Sequence, residues 1–251
     1  MESKVVMVTG GLGGIGRSAA RLLAEHGARV VVTDVVETGG AELADELTAL
    51  GGEAMFHAAD LVDEDQVQDL VERVVARYGR LDGAFNNAGI SQRDKPLVDL
   101  ASEEFERFLR VNVLGTFHCL KHQMPVMSDG GSIVVTSSGL GVTAFPDRAA
   151  YITSKHALSG LTRAAAVEGG PRGIRVNAIL PGTTRTPMAE AVFGSMGDAA
   201  VQRASSFHLL GRLAEPHEVG QVARWLLSDE SSFVTGALIP VEGGGTAGRR
   251  F

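Results

Sequence analysis

The chain has 251 residues, of which 44% are hydrophobic and 21% are charged, and its formal net charge is −7. This length lies at the upper edge of a single domain with one large core, and the composition is typical of soluble enzymes. The negative charge disfavours nucleic acid or an anionic membrane as the main partner, which leaves a small molecule. Cys119 is the only cysteine, so an intramolecular disulfide and a thiolate metal cluster are excluded and no metal site is expected. The sequence contains neither a secretory signal nor a membrane span, which favours a cytoplasmic location.

Short apolar runs alternate with longer helical patterns along the chain. The apolar runs predict strands over residues 5–8, 29–33, 54–57, 81–86, 132–136, 175–180 and 237–241. Helices are predicted over residues 14–26, 41–50, 65–78, 102–127, 151–168 and 219–227. This alternation, with right-handed crossovers, predicts an α/β fold in which about seven strands form a doubly wound parallel sheet with helices on both faces. Such sheets bind ligands outside the carboxyl ends of their strands.

No linker, charge run or repeat interrupts the alternation, so residues 1–251 are expected to form one domain. Residues 186–210 break the rhythm, with Met188, Phe193, Met196 and Phe207 scattered among small residues. This composition predicts a flexible apolar flap over a substrate pocket. The alternative is a surface excursion whose apolar residues dock on the core.

A glycine-rich segment, residues 9–16, joins the first strand to the first helix. Backbone N–H groups and the helix dipole at such a junction favour a pyrophosphate, although a tight turn alone also needs glycine. The candidate cofactor contacts in this segment are Gly10, Leu12, Gly14, Ile15 and Gly16.

Asp34 ends the second strand, eighteen residues beyond Gly16. A carboxylate at this place accepts hydrogen bonds from a ribose 2′-hydroxyl and repels a 2′-phosphate, which favours NAD over NADP. Asp34 could instead be a turn residue at a strand end. Arg17 lies close by and could tolerate the phosphate, so NADP stays open as the lesser alternative.

Tyr151 and Lys155 stand one helical turn apart, and Ser138 lies thirteen positions before Tyr151. The ammonium can therefore lie beside the phenol on one helix face. A neighbouring cation favours the phenolate and lowers a tyrosine pKa that is otherwise near ~10. A serine hydroxyl could hold the same substrate oxygen. These three groups predict proton transfer to and from that oxygen, although the tyrosine and lysine spacing alone also occurs on solvated helix surfaces.

Several motifs stand in one order along the chain: residues 9–16, Asn86-Asn87-Ala88-Gly89, Asn112, Ser138, Tyr151-x-x-x-Lys155 and Pro181-Gly182. Together they resemble the short-chain dehydrogenase/reductase family over essentially the whole chain. The resemblance implies a Rossmann fold and a reaction that moves a hydride between a nicotinamide cofactor and an alcohol or ketone. Two glycines, Gly169 and Gly170, stand where related chains usually continue the helix.

The resemblance also implies roles for individual residues. Tyr151 would be the general acid/base, Lys155 would lower its pKa and hold the nicotinamide ribose, and Ser138 would hydrogen-bond the substrate oxygen. Asn112 would position a water in a proton relay. Further cofactor contacts would come from Asp34, Val35, Asp60, Leu61, Asn87, Ala88, Gly89, Pro181, Gly182, Thr184 and Thr186. Gly13 stands where members that prefer NADP often carry a basic residue, which again favours NAD.

The expected substrate pocket is mainly apolar and includes Leu140, Phe145, Met188 and Phe193, although these residues could equally belong to the core. We therefore expect a secondary alcohol or ketone on a cyclic or otherwise bulky apolar skeleton, because similar chains oxidise cyclic alcohols and dihydrodiols. One alternative is a reductase of 3-oxoacyl thioesters carried by acyl carrier protein or coenzyme A. Another is a regulatory protein that binds the dinucleotide without turnover. By resemblance the assembly is expected to be a homotetramer formed through helices 102–127 and 151–168.

Overall fold

The structure is a computed structural model that describes the main chain of residues 1–193 and 197–248 and, of these, the side chains outside 191–193. In the described residues, seven strands form one sheet of order β3-β2-β1-β4-β5-β6-β7, and every neighbouring pair is parallel. The strands are β1 Val5–Thr9, β2 Arg29–Asp34, β3 Ala54–Ala58, β4 Leu81–Asn86, β5 Met127–Thr136, β6 Arg175–Pro181 and β7 Leu238–Val241. The strand order reverses between β1 and β4, which is where doubly wound sheets bind ligands. The predicted Rossmann fold is confirmed.

Helices cover both faces of the sheet. They are α1 Gly14–Glu25, α2 Gly40–Ala49, α3 Glu64–Tyr78, α4 Ser102–Phe108, α5 Gly115–Val126, α6 Ala149–Gly169, α7 Pro187–Phe193, α8 Asp198–Ser206 and α9 Pro216–Leu227. The apolar sides of α1, α2 and α9 pack on one face, and those of α3, α5 and α6 pack on the other. No helix within residues 1–193 and 197–248 is long and apolar enough to cross a lipid bilayer.

The core explains why the strands are apolar throughout rather than at every second residue. Along β1, Val5 and Met7 belong to one core cluster, whereas Val6 and Val8 belong to the cluster on the opposite face. All four side chains have no exposed surface. Burial on both faces is the rule for parallel sheets, and each large apolar side chain contributes about 1.5–3 kcal/mol.

The structure differs from the sequence predictions in three elements. The helix predicted over residues 102–127 is divided by a π-helical segment, Leu109–Leu114, between α4 and α5. Strand β5 begins at Met127, not at residue 132, and a register shift between Leu81 and Gly83 of β4 accommodates the extra residues. Residues 186–210 contain the short helices α7 and α8, which composition alone did not reveal.

Candidate active site

The carboxyl ends of β1 and β4 are joined by the side chains of Thr9 and Asn87. The Thr9 hydroxyl accepts hydrogen bonds from the main-chain N–H groups of Asn87 and Ala88 at 3.0 and 3.1 Å. In return, the Asn87 amide donates to the main-chain oxygens of Thr9 and Gly10 at 3.3 and 3.2 Å. Thr136 at the end of β5 donates to the Asn87 side-chain oxygen at 3.2 Å. Three adjacent strand ends therefore hold the glycine-rich loop in one position.

The glycine-rich loop is packed too closely for side chains. A methyl group built on Gly16 would lie 2.2 Å from the main-chain oxygen of Gly10, and one built on Gly14 would lie 2.7 Å from a methyl carbon of Thr186. Gly10 itself has a φ of 61°, in the left-handed region that favours glycine. Helix α1 starts after Gly13, and among the described residues no side chain caps it there. This leaves N–H groups and the positive end of the helix dipole for an anion, as a dinucleotide pyrophosphate requires.

Asp34 lies at the end of β2 next to this loop. Its carboxylate accepts the Leu12 N–H at 3.1 Å and the Val36 N–H at 3.3 Å, so the side chain is held at the loop. The Arg17 guanidinium donates to the carboxylate of Glu46 at 2.6 Å. Arg17 is therefore paired with α2, which makes it less available to accept the 2′-phosphate of NADP.

Three of the cofactor contacts that the resemblance implies, Val35, Asp60 and Leu61, lie in the turns after β2 and β3. Val35 is 66% exposed, and an exposed apolar side chain beside the carboxylate of β2 gives a flat ligand a surface to pack on. The Asp60 carboxylate accepts the Val62 N–H at 3.0 Å, which fixes the next turn. The main-chain oxygen of Leu61 accepts a hydrogen bond from Nδ1 of His118 at 2.9 Å, so α5 supports this turn from below.

Lys155 lies one helical turn after Tyr151 on α6, as the spacing predicts. Its Nζ atom is 5.6 Å from the centre of the Tyr151 ring and donates to the main-chain oxygen of Thr136 at 2.9 Å. The lysine side chain is 4% exposed, and burial lowers the pKa of Lys155 to about 8. The ammonium is thus desolvated and partly satisfied by a strand end, which keeps it beside the phenol.

The chemistry of Tyr151 depends on its burial and on two polar neighbours. Burial raises the pKa of Tyr151, whereas its hydrogen bond with the Ser138 hydroxyl and the positive charge of Arg148 lower it. The pKa of Tyr151 is therefore raised by burial, which is opposite to the lowering expected from a neighbouring lysine. Ser138 also accepts the Leu140 N–H at 3.1 Å, which fixes the hydroxyl next to the phenol.

Asn112 lies in the π-helical segment and has no exposed surface. Its side-chain oxygen accepts the Ile90 N–H at 2.8 Å, and its amide donates to the Ile90 oxygen at 3.2 Å and to the Ser154 hydroxyl at 2.9 Å. A methyl group on Gly89 would lie 3.0 Å from the Asn112 side-chain oxygen and 3.5 Å from Nζ of Lys155. The Asn112 side chain therefore joins the loop after β4 to α6. Both hydrogens of its amide are used in these contacts, and the water-positioning role that the resemblance implies stays a prediction.

The segment after β6 closes the other side of the site. The Gly182 N–H donates to the Val241 oxygen at 3.1 Å, and the Thr184 hydroxyl donates to the Gly182 oxygen at 3.1 Å. A methyl group on Gly182 would lie 2.6 Å from Cε1 of His208, so glycine is needed after Pro181. Thr186 caps α7 by accepting the Ala189 N–H at 3.2 Å.

The expected substrate-pocket residues are only partly brought together. Phe145 and Phe207 pack edge to face with ring centres 5.0 Å apart, so the end of the 186–210 segment reaches the loop that follows Ser138. Leu140 is half-buried in that loop, and Met188 is 51% exposed. The side chain of Phe193, like all of Met196, lies outside the described residues.

Three residues that contact the site were not predicted from the sequence: Thr136, Gln92 and Arg148. Thr136 could have been found, because it ends a strand two residues before Ser138. Gln92 and Arg148 are single polar residues in loops, and their contacts with the start of α6 carry no signal in spacing. Within the ranges that the structure describes, no group of three or more histidine, cysteine, aspartate or glutamate residues could hold a metal ion.

This fold and site define an oxidoreductase of the dinucleotide-binding class: a glycine cradle and a strand-end carboxylate stand next to a tyrosine, a lysine and a serine. Residues 10–246 match the family model described as enoyl-(acyl carrier protein) reductase. The chain is 43% identical, over 98% of its length and of the relative's, to 2,5-dichloro-2,5-cyclohexadiene-1,4-diol dehydrogenase of Sphingobium indicum. It is 38% identical to the 3-oxoacyl-[acyl-carrier-protein] reductase of Thermotoga maritima, over 97% of this chain and 98% of that one.

The crystal structure of carveol dehydrogenase from Mycobacterium avium in complex with NAD superimposes with a TM-score of 0.93 at 31% identity, over 99% of both chains. The chain belongs to the short-chain dehydrogenase/reductase family.

Proposed function

We propose that the protein is an NAD-dependent dehydrogenase of secondary alcohols carried on a cyclic or bulky apolar skeleton, acting reversibly on the matching ketones. The observation that carries the proposal is the placement of Tyr151 next to Ser138 and Lys155. Lys155 donates a hydrogen bond to Thr136 at the end of β5, and Thr136 in turn contacts Asn87, which holds the glycine-rich loop. Similarity to the cyclohexadiene-diol dehydrogenase supports the substrate class.

NAD would be held by the glycine-rich loop and Asp34, and when bound it supplies the hydride acceptor for alcohol oxidation. The close contacts of Gly14 and Gly16 fit a cofactor that must approach the main chain, and the Asp34 carboxylate fits a ribose hydroxyl better than a phosphate. Carveol dehydrogenase, which binds NAD, has the same fold, and this favours NAD over NADP.

The side chains of Ser138, Tyr151 and Lys155 would bind the substrate oxygen and transfer its proton. The Ser138 hydroxyl orients the substrate oxygen, and the Tyr151 phenolate accepts its hydroxyl proton during oxidation and returns it during reduction. Lys155 keeps positive charge beside the phenolate and presents its ammonium to the nicotinamide ribose. Acid/base catalysis of this kind contributes typically ~10²–10⁴-fold to the rate. Asn112 holds the loop after β4 in register with α6, as its bonds to Ile90 and Ser154 indicate.

The remaining expectations are proposals of the same kind. Residues 1–251 would act as one domain located in the cytoplasm, and residues 186–210 would close over a pocket that contains Leu140, Phe145, Met188 and Phe193. A homotetramer is supported by apolar surface on the helices expected at its interfaces: Phe117 on α5 is 43% exposed and Val167 on α6 is 78% exposed. Light scattering of the purified protein measures that assembly directly.

One screen tests cofactor and substrate class together. The purified protein is assayed at 340 nm with NAD or NADP for oxidation of cyclohexanol and a cyclohexadiene-diol, and with NADH or NADPH for reduction of a 3-oxoacyl thioester. We expect the highest kcat/KM with NAD and a cyclic alcohol. The second candidate, suggested by the 38% identity to a 3-oxoacyl-[acyl-carrier-protein] reductase, predicts instead that the thioester is preferred. No turnover with any substrate, despite dinucleotide binding, would contradict both.

A further inference from the structure

Helix α6 carries the phenol of the proposed reaction, yet its first turn has no cap of its own. The preceding residue, Arg148, makes no side-chain capping bond, so the first N–H groups of α6 need partners from elsewhere. One of them, the main-chain N–H of Tyr151 itself, donates to the side-chain oxygen of Gln92 at 2.9 Å. A residue 59 positions away thus caps the helix at the residue that would do the chemistry.

The contact is reciprocal. The Arg148 guanidinium donates to the main-chain oxygen of Gln92 and, at 2.5 Å, to the carboxylate of Asp94. A further hydrogen bond joins the same two segments: the main-chain N–H of Lys95 donates to the main-chain oxygen of Asp147 at 3.0 Å. We call the contacts between Gln92, Asp94, Arg148 and Tyr151 the 92–151 clasp.

The interior of the clasp is shielded from water. Gln92 is 1% exposed, and the side chain of Arg148 is 19% exposed. Hydrogen bonds in such surroundings are strong, and an unpaired group there is costly. In the part of the chain that the structure describes, Nε2 of Gln92 has no partner, so the side chain contacts its surroundings through its oxygen, which accepts the Tyr151 N–H.

Further hydrogen bonds connect the clasp, through the loop after β4, to the proposed dinucleotide site. The loop that contains Gln92 follows β4, and Asn112 bonds both main-chain groups of Ile90 two residues earlier. The start of the same loop, at Asn87, bonds the glycine-rich segment. The loop is therefore tied at one end to the proposed dinucleotide site and at the other to the main chain of Tyr151.

We propose that Gln92 and Arg148 are positioning residues for Tyr151, and this rests on the proposed dehydrogenase function. Gln92 fixes the main chain of Tyr151 relative to the loop after β4, so the phenol stays at the distance from the dinucleotide site that proton and hydride movement require. Arg148 holds the loop in place and presents its positive charge to the phenol.

The positive charge of Arg148 favours the phenolate of Tyr151, which is the form that accepts the substrate proton. Burial raises the pKa of Tyr151, and Arg148 opposes that rise, as does the hydrogen bond with Ser138. Lys155 of α6 also lies beside the ring, with its Nζ atom 5.6 Å from the ring centre. Asp94 pairs with Arg148 and reduces its effect on the phenol, so removal of the guanidinium will shift the titration of Tyr151 upward by a limited amount.

Three variants and a control separate positioning from general loss of structure. Gln92→Leu removes the cap at similar volume, Gln92→Glu keeps an oxygen for the Tyr151 N–H, and Arg148→Gln removes the charge. The control is Arg93→Gln, a charge change on an exposed side chain of the same loop. For each variant, kcat and KM for alcohol oxidation are measured from pH 6 to 10, with NADH affinity by fluorescence and the melting temperature.

We expect Gln92→Leu to lose about tenfold or more in kcat, since small misplacements of a catalytic group are costly, while NADH affinity stays within about twofold. Gln92→Glu should recover kcat at high pH, with the half-maximal rate displaced to higher pH by its added negative charge. Arg148→Gln should displace the same midpoint upward by about half to one pH unit. Arg93→Gln should match the wild type throughout.

The clasp proposal is overturned if Gln92→Leu and Arg148→Gln keep the wild-type kcat and pH midpoint while folded. It is also overturned if the kcat of Gln92→Glu is no higher than that of Gln92→Leu at any pH. A loss of kcat that is fully explained by a lower melting temperature would overturn it as well. Failure of the dehydrogenase proposal looks different: the wild type itself would oxidise no alcohol, or Tyr151→Phe would be as active as the wild type.

Discussion

The glycine-rich loop allows a quantitative test at Gly16. In Gly16→Ala the added methyl carbon would lie 2.2 Å from the Gly10 oxygen, 2.9 Å from the Gly10 carbonyl carbon and 2.9 Å from Nδ2 of Asn87. Two of these neighbours are main-chain atoms, so the loop must move by about 1 Å to restore ordinary contact. Overpacking of this kind costs about 1–3 kcal/mol.

The displaced loop is the proposed pyrophosphate site, so the cost should appear in cofactor affinity as well as in stability. A loss of about 1–3 kcal/mol corresponds to a fall in NADH affinity of about five- to 150-fold. The melting temperature should fall by about 2–12 °C, because about 2–4 °C accompanies each kcal/mol in a chain of this size. NADH fluorescence titration and thermal unfolding measure the two effects.

Gly160→Ala is the matched control. A methyl group there would meet no described atom within 4 Å, and the residue is exposed in the interior of α6, where alanine is favoured over glycine, so stability should stay equal or rise slightly. If Gly16→Ala bound NADH within about twofold of the wild type at an unchanged melting temperature, the close packing of the loop and its assignment as the cofactor cradle would both be refuted.

Three further predictions concern charged groups. Asp34→Ser should raise KM for NAD by about ten- to 100-fold through loss of a charge-assisted hydrogen bond, and it should narrow the NAD/NADP ratio of kcat/KM; an unchanged ratio would exclude Asp34 as the selector. Lys155→Met should abolish turnover and also remove a pH dependence of stability: burial lowers the pKa of Lys155 from 10.5 to about 8, so this group penalises the fold below about pH 8 and the penalty is relieved as pH rises towards 10.5. Wild type and variant melting curves at pH 7 and pH 10 measure the difference, and parallel curves would contradict it. Arg175→Met should lower the melting temperature by about 5–15 °C, because the buried guanidinium bonds the Leu226 and Ser228 oxygens at the end of α9, both at 2.9 Å; a shift under 2 °C would refute that.

Much of the fold followed from the sequence because its signals are local. The strands are short apolar runs, and α3 is bounded by Asp63, which caps its first turn, and Gly79, which ends it with a φ of 73°. The π-helical segment at Asn112 could not be predicted in this way. Its cause is tertiary, since the asparagine is drawn to Ile90 on one side and Ser154 on the other.

The same distinction holds for the site. The tyrosine, lysine and serine were found from spacing on one helix and from a family resemblance. The direction of the Tyr151 pKa shift could not be found in this way, because it depends on burial, which sequence spacing does not measure. Gln92 was missed for a related reason, because its contact with the Tyr151 N–H joins residues far apart in the chain.

In the proposed reaction Tyr151 transfers the substrate proton, and the site binds the dinucleotide independently of the phenol hydroxyl. Tyr151→Phe keeps the ring and removes the hydroxyl, so the direct measurement is kcat for NAD-dependent oxidation of the best cyclic alcohol, with NADH affinity determined on the same preparation. We expect a kcat at least about 10²-fold below the wild type with NADH affinity nearly unchanged. A variant with wild-type kcat would contradict this expectation.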